Sequence, residues 1–201
     1  MLNVDGYIYT RQFDGDRMWR KNRQPNPGSS CIGTDGNRNY QYKWGQAGSS
    51  SSPCAETYKG PFPYSTAEAS SVTNFIIKTP NVVSYIDFHS YSQFIMLPTG
   101  PVCKTYVKDY TDLLAASTSA VAALKAVTGT VFQTRAFCGP SDAANGSSED
   151  NAYNLGVKYS YTAELRDTGS YGFILPATQI RASGEEMIKA ITALWLYADA
   201  H

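Results

Sequence analysis

Val157-Lys158-Tyr159-Ser160-Tyr161-Thr162-Ala163-Glu164-Leu165-Arg166-Asp167 is the stretch whose reading decides the fold. Val157, Tyr159, Tyr161 and Ala163 fall on one side, and Lys158, Ser160, Thr162 and Glu164 on the other, which is the period of a β-strand. The strand ends by delivering an ionisable residue, Glu164, on the same face as Thr162, as a polar pocket wall requires. A second apolar run, Val82-Val83-Ser84-Tyr85-Ile86-Asp87-Phe88, ends the same way and delivers His89, followed by Ser90-Tyr91-Ser92-Gln93. In open α/β sheets the functional crevice lies at the carboxyl ends of strands, where loops project side chains over a packed scaffold. A histidine and a carboxylate delivered there point to a metal ligand and a general base. The one other histidine is His201 at the terminus, so a zinc site built from this chain is incomplete.

Working outward, a helix is expected from a capping box, Ser65-x-x-Glu68, with Ala69, Val72, Phe75 and Ile76 on its inner face and Pro80 as its stop. After the His89 strand comes a short strand, Phe94 to Leu97. A second helix is expected from about Thr105 to Thr128, with Val107, Tyr110, Leu114, Val121, Leu124 and Val127 inward and Gly129 as its C-cap. Residues 130 to 151 read mostly as loop. A last helix begins at Ser183-x-x-Glu186 and is expected to bury Met187, Ile188, Ile191, Leu194 and Trp195. Residues 11 to 64 hold neither period. Their interleaved Trp19, Tyr40, Tyr42, Trp44 and Tyr58 argue for an ordered, functional loop region rather than disorder.

The chain carries 17 basic and 17 acidic residues with no Lys/Arg run, which argues against nucleic acid or an anionic membrane as partner. No apolar stretch approaches the roughly 20 residues of a membrane span, and the first residues lack the pattern of a secretory signal. Four cysteines, 31, 54, 103 and 138, form no CxxC or Cys/His cluster. An even cysteine count in a Tyr-, Ser- and Gly-rich, charge-poor chain is read as disulfides and an extracellular setting.

Taken singly, the candidate residues have plain alternatives. His89 can be a hydrogen-bonded structural histidine. Glu164 with Arg166 and Asp167 can be a strand-end ion-pair cluster. Arg20 within Arg17-Met18-Trp19-Arg20-Lys21 can be a solvated charge run, and Asn37-Arg38-Asn39 an Asx-rich turn. Together they say more. The words Val4-Asp5-Gly6-Tyr7, Arg17-Met18-Trp19-Arg20-Lys21-Asn22-Arg23, Cys31-Ile32-Gly33-Thr34-Asp35-Gly36-Asn37-Arg38-Asn39 and Pro53-Cys54-Ala55-Glu56-Thr57-Tyr58-Lys59-Gly60-Pro61 come first. His89-Ser90-Tyr91-Ser92-Gln93 and Tyr159 to Gly169, running on through Tyr171 to Ala177, follow. In this order and near this spacing they make the chain resemble the zinc carboxypeptidases of the carboxypeptidase A/B family.

The resemblance implies an α/β fold with a mixed parallel and antiparallel central sheet and helices on both faces. It implies His89 as a zinc ligand, and Glu164 as the general base that activates the zinc-bound water and passes the proton to the leaving amine. It places Arg20 against the developing oxyanion, and Asn37 and Arg38 on the substrate's C-terminal carboxylate, Arg38 as a two-pronged fork. Tyr91 lines a substrate subsite, and Thr162 belongs to the pocket wall. Cys31 and Cys54 sit where the family has a disulfide. With that pair assigned by the resemblance, Cys103 and Cys138 are expected as the second bridge. A gapless alignment puts Asp142 where the family has a mobile capping tyrosine. It puts Glu149 at the base of the side-chain pocket, the family's mark of preference for C-terminal Lys or Arg. The plain alternative for Glu149 is an exposed acidic loop beside the sequon Asn145-Gly146-Ser147.

In the family, a His-x-x-Glu pair upstream of the Asp-Gly-Tyr block supplies the other two ligands of a single zinc ion. The chain begins at that block, so residues 1–201 are expected to be one partial catalytic domain, roughly its C-terminal two thirds. The Glu164 strand is expected to have an open edge where an upstream neighbour belongs. The function so implied is a secreted metallocarboxypeptidase, monomeric at full length, acting on peptide and protein C-termini, with residues 1–201 alone expected to bind zinc poorly and to be inactive. Two alternatives stand beside it. One is an inactive relative that binds peptide C-termini without cleaving them. The other is a carbohydrate-binding module, suggested by the aromatic loops alone, which leaves Asn37-Arg38 and Glu164 unexplained.

Overall fold

A computed structural model describes residues 1–99, 106–136 and 144–201. They fall into two compact units interleaved in sequence: residues 1–81 with 139–155, and residues 82–138 with 156–201.

The second unit is built on a four-stranded sheet. Its strands are β1 (Ser84–His89), β2 (Phe94–Leu97), β3 (Gln133–Ala136) and β4 (Tyr159–Glu164), in the order β1-β4-β2-β3. β4 runs parallel to β1 and antiparallel to β2, and β2 runs parallel to β3, so the sheet is mixed as expected. β4 is therefore interior, and both its neighbours come from this chain. The expected open edge on the Glu164 strand is not there; among the described residues the edges are β1 and β3. Tyr159 through Ala163 are all buried, the polar Ser160 and Thr162 included.

α3 (Tyr110–Thr128) and α5 (Ile180–Ala200) pack on each other. They lie against the sheet face bearing Ile86, Ile95, Tyr161 and Ala163. The apolar periodicity is right about Leu124 but only partly right about the α3 face, and the helix starts at Tyr110, later than expected, which leaves Val107 outside it. The buried positions are Leu113, Ala116, Ser117, Ala120 and Leu124, while Val127 is exposed. Alanine stripes on α3 and at Ala190 of α5 let the helices approach closely, so the larger side chains are turned to the flanks. Gly129 ends α3 at φ 76°, a left-handed C-cap as expected. On α5, Met187 and Leu194 are buried as expected, but Ile188 and Trp195 are exposed. Ser183 and Glu186 are no capping box. They are interior and buried, because Glu186 serves as the partner of Arg166.

The first unit contains α1 (Val4–Arg11), α2 (Ala67–Lys78) and α4 (Ser148–Asn154). α2 starts one residue later than the capping box predicts. Thr66 accepts the Ala69 N–H as N-cap, whereas Ser65 accepts from the Asn39 amide. Its buried face is Ala69, Thr73 and Ile76, with Phe75 exposed. Three asparagines brace the long loop region. Asn39, fully buried, donates to the carbonyls of Lys59 and Phe62 and accepts from the Thr66 N–H. Asn26 donates to the carbonyls of Cys31 and Gly33, and Asn22 accepts from Thr34 and donates to Glu68. Each replaces ladder hydrogen bonds that an irregular backbone lacks. The Cys31–Cys54 disulfide closes the segment between them. Cys103, Cys138 and Asp142 lie outside the described residues.

Candidate active site

Each unit carries half of the expected residues. In the second unit the parallel register of β1 and β4 pairs His89 with Glu164 and Asp87 with Thr162. Residues paired across parallel strands and two apart along one strand share a face, so these four side chains make one polar patch at the strands' carboxyl ends. The His89 Nε2 lies 2.9 Å from Asp87 Oδ2, a carboxylate–imidazole pair of the kind that fixes a ring's orientation. The Thr162 hydroxyl is buried without a protein partner among the described residues. Beyond the strand ends, the Leu165 N–H donates to the His89 carbonyl, and the Leu165 carbonyl accepts from Ser92 and Gln93. The Tyr91 ring packs edge-on to Phe173 at 4.9 Å and against Gly172. Asp167 gathers the N–H groups of Gly169, Tyr171 and Gly172. Desolvation raises the Asp167 pKa, but those three donors together hold it below the ordinary carboxylate value.

Arg166 does not pair with Glu164, so the strand-end ion-pair reading of Glu164 finds its arginine elsewhere. The guanidinium donates to both carboxylate oxygens of Glu186 at 2.7 and 2.5 Å, and to Thr130 and Gln179. Burial pushes Glu186 up, but Arg166 and the Thr128 hydroxyl outweigh it and hold the carboxyl below its usual value.

The first unit holds the cations. Arg20 donates from Nε and Nη2 to one oxygen of Asp35, at 3.0 and 2.9 Å. The other Asp35 oxygen accepts the Asn37 N–H and caps the 3-10 turn Gly36–Arg38. One buried carboxylate thus organises both Arg20 and the Asn37-Arg38 turn, a role that reading the word Gly33-Thr34-Asp35-Gly36 as a turn does not reveal. Arg38 is mostly buried, with Nε on the Gly48 carbonyl and Nη1 on its neighbour Asn37. Its Nη2 meets no protein acceptor among the described residues. Burial lowers the Arg38 pKa, with Asp35 and Glu149 opposing that effect and Arg20 adding to it. Asn37 accepts from the Ser148 N–H, which fastens the turn to the start of α4. Glu149 and Asp150, in the first turn of α4, are each 2% exposed. The exposed-loop reading of Glu149 is therefore wrong: α4 draws it inward, and the Ser147 hydroxyl donates to it. The aromatic loop residues are engaged internally. Trp44 donates to the Lys59 carbonyl and Trp19 to that of Asn22, while Arg23 lies on the rings of Tyr9 and Trp19.

A zinc ion held by protein alone needs three or four ligands. Among the described residues no group of three His, Cys, Asp or Glu side chains is arranged to hold a metal ion. His89 provides one fitting donor and Asp87 is already its orienting partner, so these residues by themselves do not complete a zinc site.

A family model, zinc carboxypeptidase, matches residues 1–190. Mouse (Mus musculus) carboxypeptidase A4 is 45% identical over 186 residues, covering 92% of this chain and 44% of the relative. Rat (Rattus norvegicus) carboxypeptidase A1 is 41% identical over 201 residues, covering 100% of this chain and 47% of the relative. The chain thus spans less than half the length of these curated relatives. Among solved structures, bovine thrombin-activatable fibrinolysis inhibitor in complex with tick carboxypeptidase inhibitor superposes with a TM-score of 0.90 at 38% identity. That match covers 100% of this chain and 68% of that one. Carboxypeptidase A from Helicoverpa armigera gives 0.88 at 29% identity, over 100% of this chain and 50% of that one.

Proposed function

This chain belongs to the zinc carboxypeptidase family, and from that premise we propose that it works as part of a metallocarboxypeptidase removing single residues from peptide C-termini. The observation that carries the reading is the β1–β4 register, which sets His89 beside Glu164 at the ends of adjacent parallel strands. Arg38, aided by Asn37, takes the substrate's free carboxylate. The protein leaves its Nη2 without an acceptor among the described residues while fixing Nε and Nη1. Arg20, held by Asp35, faces the oxygen on which charge develops. Glu164 removes a proton from the attacking water and returns it to the leaving amine. Tyr91 and Thr162 line the substrate's path.

The family implies zinc as cofactor. We assign His89 as one ligand of a single ion, the remaining ligands being groups other than the described residues. Glu149, a carboxylate buried within the field of Arg38, favours C-terminal Lys or Arg. The Cys31–Cys54 bridge suits an extracellular, oxidising setting. No helix among the described residues is long and apolar enough to cross a membrane.

Incubating a zinc-loaded protein that carries residues 1–201 together with the remaining zinc ligands with a peptide and with its C-terminal amide, followed by mass spectrometry, tests the assignment. Stepwise loss of residues from the free acid alone is expected. Cleavage of the amide, or of internal bonds, sinks it, because Arg38 then has no carboxylate to recognise.

A further inference from the structure

Ser147 stands immediately before α4 with the extended backbone of an N-cap (φ −80°, ψ 160°), yet its side chain makes no cap hydrogen bond to the helix. A serine in that place ordinarily turns its oxygen back to an N–H of the first turn. Here the hydroxyl donates to Glu149 Oε1 at 2.8 Å, and both residues are buried. A hydrogen bond to a carboxylate is stronger than one between neutral groups, and removal from water strengthens it further. The residues on either side of Ser147 are fastened to the Asn37-Arg38 segment. The Gly146 carbonyl accepts the Tyr40 N–H at 3.0 Å, and a Cβ on Gly146 would lie 2.6 Å from the Arg38 carbonyl oxygen. On the other side, the Ser148 N–H donates to Asn37 Oδ1 at 2.8 Å. The hydroxyl that holds Glu149 is thus carried on backbone pinned, before and after it, to the segment that bears Arg38.

We propose that Ser147 is a positioning residue for side-chain preference: it sets the Glu149 carboxylate in fixed register with the Arg38 clamp. The inference rests on the functional reading above, in which Arg38 takes the terminal carboxylate and Glu149 a basic side chain. A C-terminal lysine or arginine carries both charges on one residue, so its two partners must be held at a matching separation. A glutamate side chain has several torsions, and its carboxylate has no set place until contacts choose among their rotamers. The Ser147 hydroxyl fixes one oxygen of that carboxylate, whatever the other oxygen meets. Neutral side chains make no use of the carboxylate and gain nothing from its orientation. Loss of the hydroxyl therefore weakens the binding of basic residues selectively.

The test is calorimetric binding of two blocked dipeptides, benzoyl-Gly-Lys and benzoyl-Gly-Phe, and of their amides, to the 201-residue chain and its variants. All are made in a host without N-glycosylation, because Ser147 belongs to the sequon Asn145-Gly146-Ser147. S147A and S147G both remove the hydroxyl, the latter with a residue well tolerated at an N-cap, and S147T keeps it. Both deletions are expected to lower the Lys-over-Phe affinity ratio about tenfold or more, the scale of losing a hydrogen bond to a charged group. S147T is expected to stay within about threefold of the parent ratio, since it offers the same donor. An unchanged ratio in S147A and S147G, or an equal loss for both ligands, overturns the proposal and leaves Ser147 a packing residue. A ratio in S147T as low as in S147A also overturns it, since the hydroxyl is then not the cause. A parent that binds acids no better than amides overturns the Arg38 clamp, and one that favours Phe over Lys overturns the Glu149 assignment. The inference falls with either.

Discussion

At the scale of single residues, the site depends on short polar side chains that fix larger ones. Asp35 holds Arg20 with one oxygen and the Asn37 turn with the other. Gly146 makes the turn's contact with α4 feasible. At φ 80° it occupies left-handed backbone, and a Cβ there would lie 2.6 Å from the Arg38 carbonyl oxygen. Gly146→Ala therefore pays twice, in backbone strain and in displacement of the Arg38 main chain. We expect affinity for a free C-terminal carboxylate to fall by about tenfold or more, measured by calorimetry with a blocked dipeptide. Unchanged affinity would show that Arg38 does not read the carboxylate from this turn. Glu164→Gln keeps the side chain's shape and loses its basicity, so in a protein that also supplies the remaining zinc ligands turnover should disappear while dipeptide binding persists. A variant within about tenfold of the parent rate would make Glu164 structural.

At the scale of elements, the Arg166–Glu186 pair joins the loop after β4 to α5, with Thr128 at the end of α3 as a third anchor. Glu186 is fully buried, so Glu186→Gln leaves a guanidinium without its counter-charge and should cost about 3–5 kcal/mol, read from urea unfolding. The folded pKa of Glu186 lies below its unfolded value, near 4.3. The pair's stabilisation is thus present above about pH 4 to 5 and is lost as pH falls through the lower, folded value. A parent-minus-variant stability difference that stays constant from neutral to acid pH would contradict this. The same residue shows where sequence reading succeeds and where it stops. Periodicity finds β1, β2 and β4 and the presence of α2, α3 and α5, because alternating and helical patterns report burial locally. It misreads Glu186 as a cap, since Ser183-x-x-Glu186 has the cap's spacing while the partner, Arg166, is set by tertiary packing. It misses α1, α4 and β3, which are short and polar: Ser148-Glu149-Asp150-Asn151 has no apolar face, and its burial follows from contact with the Asn37 turn. The candidate residues themselves are legible through the resemblance. Their supports, Asp35, Asp87 and Gly146, are not, because each acts through hydrogen bonds or contacts that only the folded chain displays.

At the scale of the whole molecule, the neutral net charge gives little repulsion between copies, so the exposed apolar surface decides solution behaviour. β1 is an edge strand. Beside it in the second unit, Val83, Trp195 and Leu196 line one hollow and are respectively 62%, 57% and 66% exposed. An edge strand next to large apolar side chains is a surface that recruits other chains. It replaces the interior strand β4, whose backbone is paired on both sides, as the source of association expected for residues 1–201. The 201-residue chain should therefore show concentration-dependent association in sedimentation velocity at neutral pH. Trp195→Lys places a charge at a mostly exposed helix position, where the folding cost is about 0.5 kcal/mol or less, and should shift the chain towards monomer. Equal association by parent and variant would place the sticky surface elsewhere, with the other edge, β3, as the next strand to block. A parent that sediments as one monomeric species at all concentrations would mean that this edge and hollow are compatible with an isolated chain.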